Sequence, residues 1–203
     1  FKLAYNSVLA RAGGVVAEDA SRAQEEAALM APERISAVTS YILKHFNQHT
    51  RRLTDTGESN TTYIHTVTSN TADVARTRGR GGEAITVKRR VNGFNAMMAV
   101  QSVEAAKLYY NEFKAQQAEL PEHQRLKVAT IFSYGANEDP EAGILAEEGF
   151  DTRGLSGENR EFLDTAIADY NQIFGTSYDA NGDNFQNYYR DLSMRVKDRE
   201  VCL

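Results

Sequence analysis

The sequence predicts an α/β fold built on a parallel sheet with flanking helices. Two short apolar runs carry this prediction, FNAMMAV at residues 94–100 and LKVATIFS at residues 126–133. Runs of this length and composition are typical of buried strands. A segment long enough for a helix separates them, and two strands joined by such a crossover lie parallel in one sheet.

The segment between these runs predicts a helix with clear ends. Ser102 is suited to cap its N-terminus, and Glu104 would lie near the positive end of the helix dipole. Apolar residues continue to about Leu120, and Pro121 then stops the helix. The order strand, helix, strand therefore predicts one βαβ unit.

Further helices are predicted on both sides of this unit. One begins at Pro32, which fits the first turn of a helix, and others cover residues 158–174 and 185–196. Each has one apolar face at helical spacing. In the first of them that face consists of Ile35, Val38, Ile42, Leu43 and Phe46.

Residues 51–92 differ in character, because Thr, Asn, Ser and Gly replace the helix formers. Short strands are predicted at 63–64 and 84–91, so we expect an excursion here, either a hairpin or a long loop. The sequence accordingly divides into an arm at 1–31 and one incomplete domain at 32–203, which carries the excursion.

The composition excludes several classes of protein. Hydrophobic residues make up 41% of the 203 residues, which is typical of a globular chain and not of a disordered one. No apolar run has the length of a transmembrane helix, and no signal peptide is evident. The only cysteine, Cys202, excludes a disulfide within the chain and fits a reducing compartment. We therefore expect a cytoplasmic protein.

A basic stretch is the main candidate for binding. The net charge of −5 does not favour a polyanion, so any contact with nucleic acid needs a local cationic patch. Six cations fall within fifteen residues, namely Arg76, Arg78, Arg80, Lys88, Arg89 and Arg90. Such a segment can bind phosphates without sequence preference, and it can equally be a solvated loop. The sequence leaves both interpretations open.

Two patterns resemble metal sites without completing one. His45 and His49 are four residues apart on a predicted helix, but a zinc protease needs Glu directly after the first His, and Phe46 stands there. The acidic stretch 179–183 has the alternation of a calcium loop, but its glycine and its last ligand position do not fit. We interpret the first as a helix end and the second as a turn.

No complete catalytic site is evident either. Glu112 and Lys114 have the spacing of a restriction-type nuclease, but they lie within a predicted helix, where residues two apart point in different directions. The chain contains no Gly-Lys-Ser or Gly-Lys-Thr, so it lacks a P-loop for nucleotide phosphates. Catalytic, cofactor-binding and metal-binding residues are therefore assigned to none of its positions.

Five separated blocks resemble the R subunits of type I restriction enzymes, in the order of that family. They are PERI at 32–35, GFNAMMAV at 93–100, VATIFS at 128–133, FLD at 162–164 and FQNYYRDL at 185–192. Together with their flanks they cover most of residues 32–197. Five blocks in order are much more specific than one short motif.

This resemblance implies a function for the intact subunit. It would be an ATP-dependent DNA translocase of helicase superfamily 2 joined to a site-specific deoxyribonuclease, working with methylation and specificity subunits. ATP and Mg²⁺ would be held by the intact subunit, between two RecA-like lobes. The chain would be the start of the second RecA-like lobe, and alone it would lack ATPase and nuclease activity.

The resemblance also implies a DNA contact at Ser102. In related motors the junction between this strand and helix approaches the DNA backbone, and the free amides of a helix N-terminus suit a phosphate. The alternative is a simple helix cap, which needs no ligand. The DNA-phosphate hypothesis therefore covers Ser102 together with Arg76, Arg78, Arg80, Lys88, Arg89 and Arg90.

The chain departs from the family pattern at its ends. It begins at Phe1, not Met, and stops after the apolar residues 201–203, where the family continues into another strand and further motor motifs. Both ends indicate a segment of a longer polypeptide. Two alternatives remain, a stand-alone module that binds DNA or the complex, and a truncated product without function.

Overall fold

A computed structural model describes residues 24–25, 27–52, 62–77, 83–132 and 157–199. Its elements mix helices with one small sheet. In chain order they are α1 (Pro32–His49), β1 (Thr62–Thr68), α2 (Thr71–Arg76), β2 (Thr86–Asn92), α3 (Val103–Gln117), α4 (Gly157–Phe174) and α5 (Gly182–Lys197). A short 3-10 turn, Glu122–Gln124, follows α3.

The predicted helices are confirmed with small shifts at their ends. Helix α1 begins at Pro32, as predicted. Ser102 caps the start of α3, where its hydroxyl accepts a hydrogen bond from the amide of Ala105 over 3.1 Å. Helix α3 ends at Gln117, slightly before the predicted end. Helix α5 begins at Gly182, three residues before the predicted start, with Asn181 as its N-cap residue.

Helices α1 and α3 pack against each other through apolar side chains. Ile35 of α1 meets Tyr109 and Phe113 of α3 in one buried cluster. The Arg34 guanidinium of α1 also donates to the Tyr109 hydroxyl over 3.2 Å. The apolar face that the residue spacing predicted for α1 is therefore the face that packs against α3.

The larger core lies between α4 and α5. It contains Leu163, Ile167, Tyr170, Tyr178, Phe185, Tyr188 and Leu192, all buried. Helix α3 is joined to α4 by polar contacts, because the Tyr110 hydroxyl donates to Asp169 over 2.8 Å and the Lys114 amine to the same oxygen over 2.6 Å. Three helices are thus tied together by one buried core and one polar seam.

The sheet differs from the predicted one. Strands β1 and β2 pair antiparallel, and they confirm the two short strands predicted in the excursion, which is therefore a hairpin with α2 in its connection. Residues 94–100 and 126–132 form no strand ladder within the described part of the chain, and only Val128 makes a single bridge. A ladder needs a hydrogen-bonded neighbour along its length, and apolar content alone does not provide one.

The two apolar runs instead line a cleft of about 540 Å³ together with α3. Their side chains are only partly covered, since Phe94 is 41% and Met97 71% exposed. The predicted parallel βαβ sheet is thus not observed among the described residues, although the runs and the crossover helix do lie side by side.

Some sequence predictions fall outside the described residues. They concern residues 1–23 of the arm predicted at 1–31, and Cys202. Among the helices that are described, none combines the length and the apolar character required to cross a membrane.

Candidate nucleic-acid interface

The β1–β2 hairpin sorts the cations of its second strand onto two faces. Side chains of a strand alternate between faces, and directly paired residues share one face. Lys88 pairs with Thr66 and Arg90 with Ile64, and all four residues are exposed. We call this the outer face of the hairpin. Arg89 pairs with His65, so its side chain lies on the opposite face, which we call the inner face.

The inner face anchors the hairpin to the end of α5. The carboxylate of Asp198 accepts a hydrogen bond from the amide of Thr68 over 2.8 Å, and its other oxygen lies 3.9 Å from His65 Nε2. Val67 on the same face is 1% exposed. A two-stranded hairpin is only marginally stable alone, so this packing holds the outer face in place.

An arginine clamp completes the anchor. The guanidinium of Arg199 lies 4.4 Å from the ring centre of Tyr63 and 4.7 Å from that of Phe94, and it donates to the carbonyl of Gly93 over 3.3 Å. Cation–π contacts of this kind stabilise the packing of charged groups on rings. Arg199 was not predicted from the sequence, since nothing in the pattern after α5 distinguishes it from a solvated cation.

The remaining predicted DNA contacts are dispersed. Arg76 lies at the end of α2, where its guanidinium is 3.8 Å from Asp73 and 6.0 Å from the ring centre of Tyr178. Arg78 and Arg80 lie outside the described residues. Ser102 caps α3, which is not part of the hairpin. Of the predicted set, the structure therefore brings only Lys88 and Arg90 onto one face.

We expect the Ser102→Ala variant to lose about 1 kcal/mol of unfolding free energy, because α3 loses its N-cap hydrogen bond. Denaturant unfolding measures the change. Ser102→Asn is the matched control, since Asn also caps helices well and should keep most of the stability. A Ser102→Ala variant with unchanged stability and weaker DNA binding would instead support the phosphate contact.

The two histidines lie near the C-terminal end of α1. His45 Nδ1 lies 2.8 Å from the carbonyl of Tyr41, and its ring centre is 6.2 Å from that of His49. Across the described ranges, no group of three or more His, Cys, Asp or Glu side chains could hold a metal ion. The interpretation of the pair as part of a helix end agrees with this geometry.

Residues 179–181 form a turn before α5, whereas Gly182 and Asp183, which were predicted to belong to that turn, are the first residues of the helix. Asp179 accepts hydrogen bonds from the amide of Asn181 over 2.8 Å and from the side chain of Asn184 over 3.0 Å. Burial raises the pKa of Asp179, but these hydrogen bonds outweigh it and hold the pKa below its usual value. The carboxylate of Asp179 thus accepts hydrogen bonds from residues of the same turn and of the helix that follows it.

The nuclease-like pair is also separated. Glu112 accepts a hydrogen bond from Gln116 over 2.7 Å, whereas Lys114 donates to Asp169 of α4. Both residues lie within α3, as predicted. Their side chains serve different neighbours, so they form no common site for a phosphodiester.

Comparison with known proteins gives the chain its family. Residues 92–203, more than half of the chain, match the family described as type I restriction enzyme subunit R domain 3. Over 83 residues, or 41% of its length, the chain is 39% identical to the type I restriction enzyme SsaAORF53P endonuclease subunit of Staphylococcus saprophyticus, and the matched region spans 8% of that protein. The chain belongs to the R subunit family of type I restriction enzymes, as its five sequence blocks predicted.

Proposed function

We propose that this chain is part of the ATP-dependent subunit of a type I restriction-modification system that translocates and cuts duplex DNA. The observation that carries the proposal is the match of residues 92–203 to domain 3 of subunit R. Similarity to a protein named as an endonuclease subunit supports it. Because the match covers only 8% of that protein, most of the machinery would lie in other parts of the subunit.

Within that subunit we place the chain at the start of the second RecA-like lobe. The placement of the two apolar runs supports this, because both line one cleft with α3 between them in sequence. A βαβ unit also brings its two strands together under one crossover helix. In the intact subunit, further strands would pair with these runs and complete a parallel sheet.

Neither the sequence motifs nor the described residues of the chain fit ATP or Mg²⁺. The sequence has no Gly-Lys-Ser or Gly-Lys-Thr for the nucleotide phosphates, and the described residues offer no cluster of three metal ligands. We therefore assign ATP and Mg²⁺ to other parts of the intact subunit. The chain alone should have neither ATPase nor nuclease activity.

The proposed partners follow from this assignment. They are duplex DNA, the methylation and specificity subunits of the complex, and the remaining domains of the R subunit. A second function, a stand-alone module that binds DNA, is favoured by the exposed cations on the outer face of the hairpin. ATP turnover separates the two, because only the motor subunit couples DNA binding to hydrolysis.

We expect ATP hydrolysis by the intact subunit in its complex to be stimulated by duplex DNA, and the purified chain to hydrolyse no ATP under either condition. The reason is that phosphoryl transfer needs a phosphate loop, which the sequence lacks, and bound Mg²⁺, for which the described residues offer no cluster of ligands. Phosphate release measured with and without DNA tests both samples. DNA-stimulated turnover by the chain alone would contradict the proposal, since it requires a nucleotide site within these 203 residues.

A further inference from the structure

The outer face of the β1–β2 hairpin is positively charged, whereas the chain as a whole is negatively charged. The two strands read TYIHTVT and TVKRRVN and contain no acidic residue, whereas the whole chain carries a net charge of −5. Lys88 and Arg90 are both exposed, and neither forms an ion pair with any residue that the structure describes. Their positive charges are therefore not neutralised by these neighbours.

Hydroxyl groups accompany the two cations. Thr66 lies opposite Lys88, and Thr86 lies two residues before it on the same face, so both hydroxyls share the outer face. Thr66 and Thr86 are exposed. Lysine, arginine and threonine side chains are among the groups with which proteins contact phosphate and sugar oxygens of DNA.

We propose that the outer face of the β1–β2 hairpin binds the backbone phosphates of DNA through Lys88 and Arg90, with Thr66 and Thr86 as additional hydrogen-bond donors. The proposal rests on the proposed function, because a DNA-translocating subunit must hold DNA without regard to sequence. It goes beyond the family match, which begins at residue 92 and so leaves β1 and almost all of β2 outside it.

The anchored inner face makes the hairpin suitable for this role. Asp198 at the end of α5 and the Arg199 clamp fix the strands to the helical core, so the cations are presented on a braced surface. Side chains held by a rigid element lose less conformational entropy on binding than those of a free loop. Backbone contacts of this kind add affinity but no sequence preference.

Charges also protect the edges of small sheets from pairing with other chains, and that function offers another explanation for Lys88 and Arg90. The two explanations differ in the sign of the charge they require. Edge protection tolerates acidic residues in place of basic ones, whereas phosphate binding does not. Reversing both charges therefore separates them.

The test measures the affinity of the purified chain for a short duplex of arbitrary sequence, across a series of salt concentrations. We expect Lys88→Glu combined with Arg90→Glu to weaken binding roughly tenfold or more and to reduce the slope of log affinity against log salt by about 1.8, the value for two lost phosphate contacts. The same variant in the intact complex should weaken DNA binding, and with it DNA-stimulated ATP turnover at limiting DNA.

The matched control reverses two other exposed lysines, Lys44 of α1 and Lys197 of α5, and so changes the net charge by the same amount. It should leave the salt slope unchanged. Equal weakening by control and hairpin variants would overturn the proposal, as would undiminished DNA binding by a folded hairpin variant or binding of anionic lipid vesicles in place of DNA. If the complex still shows DNA-stimulated ATP turnover in these cases, only the hairpin site fails and the proposed function stands.

Discussion

Replacing Asp191 by Ala is expected to lower the free energy of unfolding by about 3–5 kcal/mol. Asp191 is fully buried on α5, and its carboxylate oxygen accepts from Arg195 Nε over 3.1 Å and from the Tyr170 hydroxyl over 2.8 Å. The Arg195 side chain is only 12% exposed. Without the carboxylate, a nearly buried guanidinium loses the charged group that it contacts at 3.1 Å, and removing one partner of a buried ion pair is strongly destabilising.

The hydroxyl of Tyr170 adds to the loss. Burial first, and then the negative charge of Asp191, raises the pKa of Tyr170 far above its usual value. The phenol therefore stays protonated and donates its proton to Asp191. Truncation of Asp191 leaves this buried donor without the acceptor that links α4 to α5.

Denaturant unfolding of the Asp191→Ala variant measures the effect, and Asp73→Ala is the matched control. Asp73 also pairs with an arginine on its own helix, Arg76, but the two side chains are 70% and 47% exposed. Exposed ion pairs contribute less than about 1 kcal/mol, so the control should remain close to the unaltered chain. An equal and small loss in both variants would show that the buried pair does not stabilise the core.

The burial of Asp191 illustrates what helical spacing can and cannot predict. The apolar positions 185, 188 and 192 identify the buried face of α5, and residue 191 lies on that face, three residues after Tyr188. Arg195, four residues later, was a signal for a paired charge. Nevertheless, burial depends on the partner helix, and the sequence of α5 alone does not show that Tyr170 of α4 lies opposite.

The hairpin shows the same division. Alternation along β2 separates Lys88 and Arg90 from Arg89 as soon as a strand is assigned. Which face is exposed depends on contacts with residues far along the chain, above all Asp198 and Arg199. The contact between Thr68 and Asp198 joins positions 130 residues apart, and the contact between Gly93 and Arg199 joins positions 106 residues apart. Local sequence patterns do not encode such contacts.

The apolar runs mark the limit of the fold prediction. Residues 94–100 have the composition of a buried strand, and the structure places them beside a cleft without a ladder of partners. Periodicity identifies segments that need burial, but it does not identify the strand that covers them. The helices were predictable because each makes its hydrogen bonds within its own segment, whereas a sheet requires a neighbour.

Replacing Gly93 by Ala is expected to lower the free energy of unfolding by about 2–5 kcal/mol. Gly93 has a φ of +61°, in the left-handed region that favours glycine. A Cβ atom there would clash with the carbonyl oxygen of Thr50 and lie 2.7 Å from the amide nitrogen of Arg52. Both are backbone atoms, so relief requires a shift of the segment that follows α1.

The same position ties several elements together, and this increases the expected loss. The amide of Phe94 donates to the Thr50 carbonyl over 2.7 Å, and the carbonyl of Gly93 accepts from the Tyr63 hydroxyl over 3.1 Å and from Arg199. A shift at Gly93 therefore disturbs the end of α1, the hairpin and the arginine clamp at once. Loosening of the hairpin should also weaken DNA binding.

Gly175→Ala is the matched control, because Gly175 has nearly the same φ, +65°, with nothing within 4 Å of the added Cβ. This variant should lose only the about 1–2 kcal/mol of unfolding free energy that the left-handed conformation costs a residue with a Cβ atom. Its DNA affinity should be unchanged. Denaturant unfolding of the two variants isolates the steric contribution at Gly93. If both variants lost the same stability, the close approach of the Gly93 backbone to the end of α1 would carry no energetic cost, and the junction would not brace the hairpin.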